Sequence, residues 1–337
     1  MKVIKPYHEH ISKKGMTPYQ FIEKIGRTCY KSEDKITDDS AVKFVKGLCS
    51  RKHYAMIEHY WVHMRYTGLY EDLMKGLSMF AKVDCGLLGE ATDILRHVYI
   101  TEHGDTYISA PLRVFFDMVS ALGACDLIVT PINSVVDEML SCVGNYFPEI
   151  FPQCFSYRNT RHFQIMPEED FCDDLYNELY DSPKNLREQE IMKHRTHTVL
   201  FVCDRGVSHE LVRHRPCSFA QESTRYCNYS KGKFGSEITV IDPHFEGSAN
   251  ILWLSACERA EQKYLELLDW GLTPQQARSV LPNSLKTEII MTCNETEWQH
   301  IVNLRAKGTT GAPHPQMKEI MQPWYEELIE LSEGRIK

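Results

Sequence analysis

Residues 209–227 read HELVRHRPCSFAQESTRYC. Arg213, His214 and Arg215 stand in a row, and Arg225 follows within the same short segment. Ser218, Gln221, Glu222 and Ser223 lie between them. Val207, Leu211 and Val212 are spaced as the inward side of a short helix, with Ser208 as its expected cap. Pro216 must end that helix, because proline lacks an N–H and disfavours helix at the residue before it. Three cationic or potentially cationic groups then crowd one turn. Two unit charges about 6 Å apart repel by nearly ~3 kcal/mol at an effective dielectric of ~20. A nearby anion offsets that repulsion. The hydroxyls of Ser218, Ser223 and Thr224 and the fork of Arg225 match phosphate oxygens. The segment therefore reads as a phosphomonoester or nucleotide site, or else as an exposed basic turn paired with acids elsewhere.

The surrounding charge sharpens the contrast. The chain has 337 residues, a formal net charge of −8 and 43% hydrophobic content. Residues 168–190 hold nine acids and two bases, whereas residues 205–233 hold six bases and two acids. A positive pocket on a negative body suits a small anion and argues against nucleic acid or a membrane surface as partner. The acidic run reads as a solvated face. Twelve cysteines form no CxxC pair and no zinc-finger spacing, so reduced thiols and no metal are expected. With no apolar signal core or membrane-length apolar run, a soluble, cytoplasmic protein is expected.

Outward from the basic segment, THTVLFVCD (196–204) and LKTEIIMTC (285–293) read as strands. Thr17 and Pro18 open a helix carrying Phe21, Ile22, Ile25 and Cys29 at helical spacing. A second helix from about Ser40 carries Val42, Val45 and Leu48. In EHYWVHMRY, Tyr60, Val62, Met64 and Tyr66 share one face of a strand. A long helix spans about Ser248–Trp270, with Leu252, Ala256, Ala260, Tyr264 and Leu267 as its expected core stripe. A short helix carries Arg278 and stops before Pro282. Asn294 and Glu297 resemble a capping box opening a helix that ends at Arg305, and a last helix follows His314 and Pro315. Helices and mostly antiparallel strands without βαβ rhythm predict an α+β fold. We expect one catalytic domain over 1–337, interrupted by a helical and mixed insertion at about 67–195.

The spacing RHR, seven residues, then Ser223 resembles the RHR-x7-S signature of the flavin-dependent thymidylate synthases, the ThyX family. HELVRHR and STRY around it are similar to that family. So, in order, are GRTCY with Cys29, HYAMIEH with His53 and His59, QQARSVLP with Arg278, TCNETEWQHIVNLR with Asn294, His300 and Arg305, and HPQMKEI with His314. The resemblance covers roughly residues 15–66 and 195–330. It implies a homotetramer that makes dTMP from dUMP, with methylenetetrahydrofolate as carbon donor, FAD as cofactor and NADPH as reductant. It implies dUMP contacts for Glu210, Arg213, Gln221, Ser223, Thr224, Arg225, Arg278 and Arg305. It implies FAD contacts for Cys29, His53, Arg213, His214, Arg215, Gln221, Asn294, His300 and His314. Arg305 would activate the uracil, since a fixed guanidinium lowers the energy of a ring anion. Ser223 has no base and orienting group evident beside it and reads as a positioning group. Ala55 and Ala220 replace polar residues of common family forms. Two other readings remain: a different flavin or nucleotide enzyme on this fold, and a non-catalytic nucleotide-binding homologue.

Overall fold

The computed structural model describes residues 1–84, 95–124, 134–151, 160–225, 228–230 and 237–337. Two four-stranded antiparallel sheets dominate it, and both carry helices. The fold is thus mixed α and β, with antiparallel sheets.

The first sheet has the order β2–β7–β10–β8, from Tyr7–His10, Thr196–Asp204, Lys286–Asn294 and Ser218–Gln221. β7 and β10 pair along nine residues, from Thr196 opposite Asn294 to Asp204 opposite Lys286. Both strands are buried on both faces along most of their length. Alternation then sorts their side chains. Val199, Phe201, Ile289 and Met291 pack on the C-terminal helices Glu295–Arg305 and Pro315–Leu331, around Trp298 and Trp324. Leu200 and Ile290 face the helix Pro18–Tyr30 through Phe21 and Ile25. That helix begins where the sequence predicts: Thr17 and Gln20 cap each other's backbone N–H, and Pro18 occupies the first turn. The second helix, Ser40–Ser50, buries Ala41, Val45 and Leu48, while Val42 is only half-buried. Gly26 lets the two helices approach, since a Cβ there would lie 2.6 Å from the Phe44 ring.

The second sheet has the order β4–β5–β3–β6, from Tyr99–His103, Asp105–Pro111, Trp61–Tyr66 and Phe163–Met166. β3, read from sequence as lying before an expected insertion, is therefore an inner strand of a sheet whose other strands come from residues 99–166. Its predicted alternation holds on one side only. Val62, Met64 and Tyr66 enter a core with the helices Tyr70–Asp84, Leu112–Ala124 and Ser134–Tyr146. Trp61 and His63, on the opposite face, are buried as well. The acidic run forms the helices Glu168–Glu178 and Lys184–His194. It is more than a solvated face: Phe171, Cys172 and Leu175 cover Tyr107 of β5, and Asp174 accepts from Arg65 and from Tyr107 Oη.

A two-stranded parallel pair, β1 (Lys2–Ile4) with β9 (Thr239–Ile241), joins the N-terminus to the region of the long helix Gly247–Asp269. The buried stripe of that helix differs from the one expected. Cys257 and Tyr264 are buried, with Trp253 partly covered, while Leu252 is 72% exposed. All eight described cysteines are free thiols. Among the described residues no helix is long and apolar enough to cross a membrane.

Candidate active site

β7 ends at Asp204, whose carboxylate accepts from Val207 N at 2.6 Å and caps the helix Arg205–Leu211. The expected cap, Ser208, is instead buried one turn later, where its hydroxyl donates to Arg205 O. Asp204 wins because it is the last strand residue, with extended backbone, and its side chain reaches the free N–H groups first. Val212 is correspondingly exposed rather than inward.

The turn that follows splits the RHR triplet. His214 is buried, and Arg213 and Arg215 are exposed. The mutual repulsion is relieved by pointing the two arginines to solvent. Among the described residues neither pairs with a carboxylate. His214 packs under the Glu295–Arg305 helix. Arg305 Nε donates to His214 Nε2 at 3.3 Å, and Arg305 Nη1 meets the Glu210 carboxylate at 2.6 Å. Arg305 Nη2 also donates to Glu210 O at 3.3 Å. His214 Nδ1 lies 3.7 Å from Glu297, and its ring stands edge-on to His300 at 6.1 Å between centroids. Glu210, His214, His300 and Arg305 thus meet. Glu297 joins them, a residue the sequence reading used only as a cap partner. Its place one helical turn before His300 was the available signal.

His214, Glu297 and His300 could hold a metal ion, since their ligand atoms lie within 4.8 Å of one another. The Arg305 guanidinium beside His214 adds a fixed positive charge that disfavours a dication and favours an anion.

A second group forms past the end of β8. Gln221 is anchored by its amide nitrogen to Ser208 Oγ at 2.9 Å and Thr287 Oγ1 at 3.2 Å. Ser223 N donates to Cys29 O at 3.4 Å. Thr224 is buried and accepts from Arg278 Nη1 at 3.1 Å. Arg225 is exposed, and its Nε donates to Gln275 at 3.2 Å. Arg278 comes from the 3₁₀ turn Arg278–Val280, which follows the short helix Pro274–Ala277. Two distant segments therefore bring Ser223, Thr224, Arg225 and Arg278 together. Beneath them Lys286 bridges the buried Glu222 at 2.9 Å and Glu288 at 2.5 Å, a cluster the sequence reading missed. Burial works against ionising Glu288, but Lys286 and Lys31 outweigh it and hold its carboxyl below the usual range.

Other expected site residues sit differently. The Cys29 thiol is buried and pushed up to about 12, so it is a packing group. His53 is exposed, with Nδ1 3.0 Å from Tyr30 Oη. His314 is exposed at the start of the last helix. Asn294 is buried: its oxygen accepts from Glu297 N at 3.0 Å and its nitrogen donates to Lys193 O at 2.9 Å. It serves the chain as a helix cap.

Comparison with known proteins places the sequence among relatives. Residues 153–332 match the family described as thymidylate synthase complementing protein. A flavin-dependent thymidylate synthase of Geobacter sulfurreducens is 32% identical over 126 residues, which is 37% of this chain and 54% of that protein. One from Pyrococcus furiosus is 32% identical over 120 residues, 35% of this chain and 49% of that protein. The chain spans about half the length of these curated relatives. A crystal structure of the UMP/dUMP methylase PolB from Streptomyces cacaoi, bound with 5-Br UMP, shares 22% identity at a TM-score of 0.37, covering 50% of this chain and 85% of that one. The family match takes in the RHR-x7-S segment, both arginine groups and more than half of the chain, and the chain belongs to the thymidylate synthase complementing protein family.

Proposed function

We propose that this protein is a flavin-dependent thymidylate synthase with the ThyX-type fold, converting dUMP to dTMP. The observation that carries the reading is the placement beside the terminal serine of the RHR-x7-S segment of two arginines: Arg278, which donates to Thr224, and Arg225, whose backbone N–H donates to Ser223 Oγ. Two guanidinium groups and two hydroxyls suit a phosphomonoester. Gln221, locked by Ser208 and Thr287, would orient the nucleotide.

Arg305 would face the uracil. Its pairing with Glu210 fixes the fork in place, and Glu210 is itself one of the proposed nucleotide contacts. A ring anion beside that guanidinium is favoured, which makes the ring carbon more nucleophilic. His214 accepts from Arg305 and so holds its Nε edge in plane. Ser223 positions; no general base stands next to it among the contacts described.

The exposed Arg213 and Arg215, flanking a buried histidine and lacking carboxylate partners among the described residues, fit the pyrophosphate of FAD. When bound, the flavin would supply the reducing equivalents that turn methylene into methyl. NADPH and methylenetetrahydrofolate are the proposed co-substrates. His300 and Gln221 would complete the flavin side. Cys29 meets the second group only through its backbone carbonyl, which accepts from Ser223 N. His53 and His314 stand away from both arginine groups by every contact described, and a homotetramer, in which another subunit adds to the site, would give these two exposed histidines a role. Asn294 would support that side as a cap.

An anaerobic assay with FAD, NADPH, dUMP and methylenetetrahydrofolate tests the proposal. The expected result is dTMP formation that is lost when flavin is stripped and restored when it is returned. Flavin that NADPH bleaches without any dTMP would reject dUMP as the substrate. Failure to bind flavin at all would reject the enzyme class.

A further inference from the structure

Gln221 and Glu222, the two residues before Ser223, send their side chains to opposite faces of the first sheet. Gln221 bonds Ser208 and Thr287. Glu222 turns instead to Lys286, which lies next to Thr287 on β10. The Glu222 N–H donates to Glu288 O at 2.8 Å, which carries the pairing of β8 with β10 one residue further. The Glu222 side chain is 1% exposed, and Lys286 Nζ donates to its Oε2 at 2.9 Å. Its Oε1 is buried with no hydrogen-bond partner among the described residues. A buried carboxylate with one oxygen unpaired is costly, and this one stands directly before the segment assigned to an anion.

The carboxylate ends a row of alternating charges. Lys31 pairs with Glu288 Oε2, Glu288 Oε1 accepts from Lys286 at 2.5 Å, and Lys286 holds Glu222. Two ammonium groups thus face two carboxylates, and the row is formally neutral. Burial works against the Lys286 ammonium, but Glu222 and Glu288 outweigh it and hold the lysine above its usual range. Lys31 reaches Glu288 from the end of the helix Pro18–Tyr30, so the row also ties that helix to β10. Glu222 is the member nearest to Ser223 in the chain. One peptide unit separates the two residues, so the carboxylate lies within ~10 Å of the Ser223 hydroxyl. Salt screens exposed charges well and buried ones poorly, so the Glu222 charge is felt by an anion at that range.

We propose that Glu222 and Lys286 set the phosphate affinity of the nucleotide site: Glu222 places a negative charge under the phosphate, and Lys286 cancels it. This rests on the nucleotide reading above and goes beyond it. Neither residue touches the reacting atoms. Lys286 is a positioning residue that acts through Glu222. The product nucleotide carries the same phosphate as the substrate, so the same balance sets how readily the product leaves. Arg225 and Arg278 supply the attraction, and the Glu222 carboxylate, partly cancelled, tempers it.

The test is calorimetric titration of dUMP, and separately of dTMP, into the full chain with FAD present. Wild type is compared with Glu222→Gln, Lys286→Met and the double variant. Glu222→Gln keeps an acceptor for Lys286 and removes the charge, so both nucleotides should bind ~3-fold or more tighter. Lys286→Met leaves the carboxylate uncancelled, so both should bind ~10-fold or more weaker. The double variant removes both charges and should return to within ~3-fold of wild type. Opposite signs are the discriminating result, because a cluster that only braced the loop would weaken binding in every variant. Should Lys286→Met lose its melting transition, Glu222→Gln and the double variant decide the matter. Unchanged or weaker binding by folded Glu222→Gln overturns the proposal, and so does a folded double variant ~10-fold weaker than wild type. Wild type that binds FAD but neither nucleotide refutes the nucleotide reading itself, a different failure that removes this proposal with it.

Discussion

Replacing Arg305 with alanine isolates the electrostatic role proposed for the site. In the resting structure the guanidinium is held by Glu210 at 2.6 Å and by His214 at 3.3 Å. A ring anion about 4 Å from it gains about 4 kcal/mol at an effective dielectric of ~20. Each ~1.4 kcal/mol is a factor of ten in rate, so turnover should fall by about three orders of magnitude. The structural cost is smaller. Arg305 and Glu210 side chains are 20% and 30% exposed, and solvent screening leaves their pair worth about 1 kcal/mol or less. Arg305→Ala should therefore stay folded and keep its flavin, because Arg213 and Arg215 are untouched. Single-turnover dTMP formation, flavin absorbance and thermal unfolding, measured on one preparation, separate the two effects. Near-normal turnover would refute the uracil assignment. Lost turnover together with a collapsed melting midpoint would make Arg305 a structural residue instead.

Arg225→Ala should raise the KM for dUMP by ~10-fold or more with a smaller change in kcat, seen in steady-state kinetics, because a phosphate contact is shared by ground and transition states. Asp204→Ala, which removes the cap of the Arg205–Leu211 helix, should destabilise the fold by about 1 kcal/mol in urea titration and weaken dUMP and flavin binding together. Acid should act in two stages. His59 and His194 are buried, with pKa values lowered to about 3, so the unfolded chain binds more protons than the folded one below the ordinary value of 6.5. Each should remove up to about 1.4 kcal/mol of stability per pH unit as pH falls through that window. Glu288 and Glu295, held below 4.5 by their cationic partners despite burial, contribute stability above that pH and lose it below. Chemical denaturation at stepwise pH should show decline beginning near 6.5; a flat profile down to 4.5 would contradict the histidine assignment.

The strands β7 and β10 were readable because each carries an apolar, β-branched stretch bounded by polar residues, but their pairing and their neighbours β2 and β8 were not. The Thr17 and Asn294 caps were readable because a polar side chain directly preceding a helix has one geometric use. The stripe of the Gly247–Asp269 helix was not. Its alanines fit more than one register, and only packing of Trp253, Cys257 and Tyr264 with Ile238, Val240 and Leu285 chooses between them. The same ambiguity hid Asp204, since Ser208 is an equally good cap by type and only the end of the strand decides. β3 could not be assigned to a sheet because alternation reports a buried face and says nothing about the partner strand. In the site, the two groups of arginines were legible through motif spacing. The Glu210–Arg305 pair, the seat of His214 against Glu297 and the lysine under Glu222 depend on side chains meeting across separate elements, which no local pattern encodes.

The nine-residue pairing of β7 with β10 has a consequence for how the chain is made. During synthesis from the N-terminus, all four strands of the β4–β5–β3–β6 sheet emerge before β7 does. β7 must then wait for the long Gly247–Asp269 helix and the 278–280 turn before its main partner exists. One face of β7 finds its cover already made, since Leu200 packs on Phe21 and Ile25 of the helix Pro18–Tyr30, and β2 already flanks one edge. The opposite face, with Val199 and Phe201, is open to aggregation until the C-terminal helices emerge, so the two sides of one strand are sheltered at opposite ends of synthesis.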